Sequence, residues 1–187
     1  MPRLFVGIGL PPAHQAVAAG LVARLRPLAC GPATWTRPDN AHLTLKFLGE
    51  TDAARLPDIT AALGRVAFAP FPLAVAGGGF FPSPSRPRVV WAGLAEGADS
   101  CRTLAAAVDA ALARIGFAVE ARPFAAHLTL GRLRDASRGC DVRGMLAVLG
   151  ETVWPPATVE ALTLYESTLG PQGPRYVALA RFAGQEA

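Results

Sequence analysis

The sequence predicts an α+β fold rather than a regular parallel α/β sheet. Three observations carry this. Segments of period two recur along the chain, some separated by helical stretches and others adjoining like hairpin partners. The 187 residues include 19 glycines and 17 prolines, which punctuate the chain into short elements. Half of the residues (51%) are hydrophobic, enough for one substantial domain or two small lobes on a shared core, and no linker divides the chain.

Residues 3–9 alternate as a strand. Pro11 and Pro12 then open a helix, because proline suits a first helical turn, and Val17, Leu21 and Leu25 recur at helical spacing before Gly31-Pro32. His14 falls in this helix and reads as solvated. Residues 34–36 form a short strand, Pro38-Asp39-Asn40 a turn, and residues 42–48 an alternating strand. Residues 52–68 have helical periodicity, interrupted at Pro57. Residues 71–76 and 88–94 read as strands around a Gly/Pro-rich loop. The clearest helix covers 99–115, with Leu104, Val108, Leu112 and Ile115 on one stripe and Gly116 at its end. Residues 124–130 form a strand and 142–149 a short helix. Residues 159–165 and 176–182 are closing strands, joined through Gly170-Pro171 and Gly173-Pro174.

Composition narrows the partners. The net charge of +4 favours an acidic partner such as nucleic acid, though weakly. The charge is almost all arginine, suited to planar phosphate contacts; Lys46 is the only lysine. Cys30, Cys101 and Cys140 are odd in number and form no C-x-x-C pair, which argues against a zinc ribbon, a redox motif or a disulfide scaffold and makes a reducing cytoplasm the simplest compartment. The apolar stretch 4–10 meets Pro11-Pro12 with no clear cleavage site, so a signal peptide is not expected. The uncharged run 66–85 contains four prolines and Gly77–Gly79 and cannot be a membrane helix. No P-loop and no organic cofactor motif is present.

One internal echo carries the functional argument. His-Leu-Thr-Leu occurs at 42–45 and again at 127–130, and two of the three histidines open it. On a strand, His42 and Thr44 share one face while Leu43 and Leu45 share the other; His127 and Thr129 are likewise set against Leu128 and Leu130. If the copies face each other, a pocket forms with two imidazoles and two hydroxyls. One neutral imidazole can act as general base and one imidazolium as general acid, the two tasks that phosphodiester cleavage requires. Threonine hydroxyls can bind phosphate oxygens, and an arginine or lysine can balance charge. A single copy would read as an ordinary strand with a half-buried histidine; two copies reverse that reading. A metal site is the weaker alternative, because no third ligand stands at a recognised spacing.

With its context, the paired motif resembles the two-histidine (2H) phosphoesterase superfamily, specifically the bacterial and archaeal RNA 2′,3′-cyclic phosphodiesterases, also called 2′-5′ RNA ligase-like proteins. The likeness spans nearly the whole chain. It runs from Arg3-Leu4-Phe5-Val6-Gly7-Ile8, through Pro38-Asp39-Asn40-Ala41 and the 42–50 segment, to Arg88–Gly93. It continues through Arg122-Pro123-Phe124, the second motif with Arg132, Leu164–Ser167 and Gly173–Tyr176. The resemblance implies a duplicated α+β fold, one domain over 1–187 with two pseudo-symmetric lobes placing a motif strand each on a central cleft. It implies that His42 is the proton donor to the leaving 3′ oxygen, that His127 is the proton acceptor that activates water, and that the product is a 2′-phosphate. Thr44, Thr129 and Arg132 would hold the phosphate. The expected partner is RNA or an oligonucleotide with a 2′,3′-cyclic phosphate end, handled in the cytoplasm by a monomer with no cofactor, no metal and no membrane. The residues alone do not say which histidine is acid and which is base.

Several positions sit awkwardly. A Phe-Pro-His approach is common before the second motif in the family; here Ala125-Ala126 stands between Phe124 and His127, a change expected to alter backbone stiffness more than chemistry. Strict alternation turns Arg132 away from His127 unless the strand bends near Gly131. It also places Phe47 with the leucines, which favours a core residue over the base-stacking substrate contact the resemblance allows, and puts Lys46 on the His42 face, where it would meet RNA backbone as a substrate contact or else solvent. Trp35, Trp91 and Trp154 read as core or rim, with Tyr165 and Tyr176 as possible cleft residues. The motifs leave open 2′-5′ ligation or cleavage in tRNA or oligonucleotides, and an RNA-binding module with a spent site.

Overall fold

The computed structural model describes residues 1–29, 31–134, 139–170 and 173–185. Cys30 and the Pro171 linker lie outside them. The elements are β1 (Arg3–Gly9), α1 (Pro12–Leu25), β2 (Ala33–Trp35), β3 (His42–Glu50), α2 (Leu56–Leu63), β4 (Phe71–Ser83), β5 (Arg86–Glu96), α3 (Ala98–Ala113), β6 (Leu128–Leu133), α4 (Val142–Glu151), β7 (Ala157–Val159), β8 (Ala161–Gly170) and β9 (Gly173–Ala183). The fold is mixed α+β, as the sequence predicts.

The strands pair antiparallel in the order β7-β4-β5-β6-β3-β1-β8-β9, with β2 added to β6. Outward from the central β6/β3 contact, β5 and β1, β4 and β8, and β7 and β9 occupy corresponding places. The helices lie on one face, where α3 packs on β3, α4 on β4, and α1 on α4. Their apolar stripes, with Leu21, Leu25, Val108, Leu112, Met145 and Leu149 almost fully buried, close over the inward leucines of the strands. The opposite face of the central strands carries the motif side chains. No helix among the described residues is long and apolar enough to cross a membrane.

Four local expectations are corrected. The Gly/Pro-rich stretch around Gly77–Gly79 is not a loop: β4 runs through it and pairs with β5, and the turn is confined to the segment between Ser83 and Arg86. Gly77 takes a left-handed φ of 59° at an irregularity in the pairing, and the next two glycines allow close approach. A Cβ on Gly78 would stand 2.2 Å from the Trp91 carbonyl oxygen, and one on Gly79 would stand 2.8 Å from the Trp91 ring. Residues 159–165 are not one strand, because the chain changes partner at Glu160, from β4 to β1. The second motif strand begins at Leu128, not at Phe124. His14 is not solvated; it is 1% exposed, beside Trp154 at 5.8 Å between ring centroids, and burial holds its pKa below the ordinary value.

Candidate active site

The two motifs meet at the centre of the sheet. Leu43 and Leu128 pair directly across β3 and β6. Carrying that antiparallel register one residue each way sets His42 opposite Thr129 and Thr44 opposite His127. Leu43, Leu45, Leu128 and Leu130 are buried on the helix side, so both imidazoles and both hydroxyls point the other way. They line one cleft of about 200 Å³ together with Phe47, Arg132 and Tyr176.

Each imidazole is held in the same way. Nδ1 of His42 donates to the carbonyl oxygen of Asn40 at 2.6 Å, and Nδ1 of His127 donates to that of Ala125 at 2.7 Å. A carbonyl can only accept, so Nδ1 keeps its proton and Nε2 is left to exchange one. Nε2 of His42 lies 2.9 Å from the Thr44 hydroxyl. The anchor two residues before each histidine is a backbone atom, which explains why Ala125-Ala126 is tolerated there. Aromatic rings wall both imidazoles: Phe5 at 4.8 Å and Tyr176 at 5.1 Å from His42, Phe81 at 4.9 Å and Trp91 at 6.4 Å from His127.

These surroundings favour neutral imidazole. Burial pushes the pKa of His42 below the ordinary histidine value; the bond to Asn40 opposes this and the facing His127 adds to it. Burial also lowers His127, with the Ala125 carbonyl opposing and Arg132 adding to the push.

Strict alternation fails after each motif, at the same place. On β3, Gly7 pairs with Thr44 and Val6 with Lys46, so Leu45 is an extra, bulged residue. On β6, Trp91 pairs with Thr129 and Val90 with Gly131, so Leu130 is the extra one. A bulge inverts the facing of every later residue. Arg132 is thereby turned onto the cleft, which resolves its apparent misplacement. Phe47 is also turned onto the cleft, where it is 66% exposed, and is not the core residue expected. Lys46 is removed from the His42 face. It is 7% exposed on the helix side, where Nζ donates to the Asp109 carboxylate and, at 2.7 Å, to the Ala118 carbonyl oxygen. It is in place to hold α3 against β3, not to touch a ligand in the cleft.

Sequence reasoning missed several supporting residues. Asn40 is buried, and its side chain donates to the Pro174 carbonyl oxygen at 2.5 Å, tying the start of β3 to the start of β9 and so setting Tyr176 against His42. The Thr36 hydroxyl donates to the Thr129 carbonyl oxygen at 2.8 Å. Trp35 lies over Gly131, where a Cβ would stand 2.5 Å from its ring. The Pro38-Asp39-Asn40 turn signal located Asn40 but carried no hint of its reach to Pro174. Among the described residues, no three His, Cys, Asp or Glu side chains gather to hold a metal ion.

The family model for LigT-like phosphoesterases matches the chain twice, over residues 8–91 and 93–176. An RNA 2′,3′-cyclic phosphodiesterase of Thermus thermophilus is 34% identical over 190 residues, covering 97% of this chain and 89% of that one. One of Aeropyrum pernix is 33% identical over 163 residues, 86% of this chain and 93% of that one. The crystal structure of E. coli LigT complexed with 3′-AMP superposes with a TM-score of 0.76 at 29% identity over the whole of both chains. The chain belongs to the LigT-like phosphoesterase family.

Proposed function

We propose that this protein is an RNA 2′,3′-cyclic phosphodiesterase, a single domain of two pseudo-symmetric lobes, and that it opens the ring to leave a 2′-phosphate. The observation that carries the reading is the pair of imidazoles, each tethered through Nδ1 to a backbone carbonyl, with Nε2 left for proton transfer in one cleft. The names of its relatives point the same way.

His127 accepts a proton from water at Nε2. The water oxygen bonds to phosphorus as the bond from phosphorus to the 3′ oxygen breaks, and that oxygen takes the proton held on Nε2 of His42. Thr44 and Thr129 donate to the non-bridging oxygens, and Arg132 offsets the charge that develops there. One water is consumed. The histidines then exchange protons with solvent to regain the starting state. A bound phosphate anion brings a negative charge that favours imidazolium at His42. Phe47, exposed at the cleft mouth, offers its ring to a base.

His42→Ala and His127→Ala are each expected to lower kcat on a cyclic-phosphate-ended RNA by about 10²–10⁴-fold. Circular dichroism would show whether the fold is kept. Near-normal turnover in either folded variant would overturn the proposal.

A further inference from the structure

The two halves of the sheet differ beside the cleft. By register, Gly7 on β1 corresponds to Trp91 on β5, since Gly7 pairs with Thr44 and Trp91 with Thr129. On the next strand outward, Thr163 corresponds to Gly79 and Tyr165 to Phe81. In the second half the Trp91 indole lies over two glycines: a Cβ on Gly79 would stand 2.8 Å from its ring, and one on Gly93 would stand 3.4 Å from it. Phe81 stacks on that indole, with centroids 5.1 Å apart. The first half has glycine in place of the tryptophan. The counterparts of the two glycines, Thr163 and Gly9, line a cavity of about 370 Å³, and Tyr165 lines it with them.

The chemistry of this cavity suits a flat ring with a hydrogen-bonding edge. Its volume falls in the range of roughly 300–1,000 Å³ that small-molecule sites occupy. Tyr165, stacked on Phe5 at 5.0 Å, supplies aromatic surface, and Ala161 and Ala178 intrude little. Thr163 brings a hydroxyl and is 7% exposed. Glu160 and Arg181 stand 3.8 Å apart with most of each side chain exposed, a loose pair that is free to turn to a ligand. A carboxylate and a guanidinium together match the donors and acceptors on the edge of a base, whereas the carboxylate would repel a phosphate.

We propose that this cavity is a subsite for the nucleobase that precedes the cyclic end, so that the substrate is an oligonucleotide held by two bases rather than a cyclic mononucleotide. The inference rests on the RNA reading of the cleft. Phe47 lines the cleft itself and is the ring for the terminal base. The cavity lies beyond Tyr165, whose ring is 6.3 Å from that of His42. It is also at the other end of β1: Phe47 pairs with Phe5, and Gly9 is four residues further on, about 13 Å along the strand. Two bases are needed to use both places.

The test is methyl NMR of the full chain with two probes, an RNA dinucleotide ending in a 2′-phosphate and the matching nucleoside 2′-phosphate, and it requires no turnover. Both probes should shift the methyl signals of Thr44 and Thr129 in the cleft. The dinucleotide should also shift those of Ala161, Thr163 and Ala178, the nucleoside 2′-phosphate should not, and the dinucleotide should bind about tenfold tighter. Ala178→Phe, which puts a ring into the cavity, should remove that advantage, and so should an abasic first ribose in the dinucleotide. If Ala178→Phe does not fold, the abasic probe decides alone. Equal affinity for the two probes, cavity shifts with the nucleoside 2′-phosphate, or cleft shifts without cavity shifts would each overturn the inference and leave the proposed activity standing. Shifts at neither place would count against both.

Discussion

At the residue scale, the site depends on which nitrogen of each histidine is free. Anchoring Nδ1 to a carbonyl makes the tautomer a property of the backbone, and the hydroxyls of Thr44 and Thr129 share the imidazole face because strand alternation holds that far. The shared face was legible in the tetrapeptides; the tether of each Nδ1 to a carbonyl two residues back was not. The pH dependence follows from the surroundings. Burial, above all, holds the pKa of both histidines below the ordinary value. The productive state has one imidazole charged and one neutral, so it is most populated between the two macroscopic values of the pair. As pH rises through the value of the acid, that state is lost. The descending limb of kcat/KM, which reports the free enzyme, is therefore expected below about pH 6.5. The limb for kcat should lie at higher pH, because the bound phosphate favours the imidazolium. Pre-steady-state or steady-state pH profiles on one substrate measure both, and coincident limbs would contradict this account.

At the element scale, the bulges at Leu45 and Leu130 decide which side chains meet the ligand. Alternation assumes one residue opposite one, and nothing in Lys46-Phe47 signals that the count slips. Gly131 hinted at a bend in the second copy; the first copy has no glycine at the matching position. The faces that alternation gave Lys46 and Phe47 were therefore exchanged: Lys46 leaves the cleft, and Phe47 takes the place of its less favoured reading, on the cleft rather than in the core. The Gly77–Gly79 run misled for a related reason, since hairpin pairing with β5 outweighs the low strand propensity of glycine. The inversion makes a contrasting pair of predictions. Lys46→Met leaves the Asp109 carboxylate, with 19% of its side chain exposed, without its cation and holding only the Glu120 backbone N–H, and is expected to cost about 2–4 kcal/mol of stability with kcat nearly unchanged. Phe47→Ala removes an exposed ring, so stability should change by less than about 0.5 kcal/mol while KM for RNA rises. Denaturant melts and initial rates on both proteins check this. A stable Lys46→Met protein with a raised KM would restore the first reading of that residue.

At the scale of the whole molecule, two stretches of similar element order place their motif strands side by side at the middle of one sheet. The α+β class was legible from the mixture of helical and strand periods, whereas the two-fold character was an expectation from the family resemblance that the repeated tetrapeptide carries. The partner change at Glu160 was not, because β7 and β8 are continuous in sequence and separated only by whom they pair with. The same arrangement that brings the histidines together also makes the chemistry directional, since a ring held between two imidazoles opens toward whichever carries the proton. The most direct measurement is phosphorus NMR of a short RNA ending in a 2′,3′-cyclic phosphate, incubated with the protein in excess EDTA. The account predicts complete conversion to the 2′-phosphate, with no dependence on the chelator. A 3′-phosphate product would reverse the roles given to His42 and His127, and no conversion would contradict the assignment of the cleft to cyclic phosphate hydrolysis.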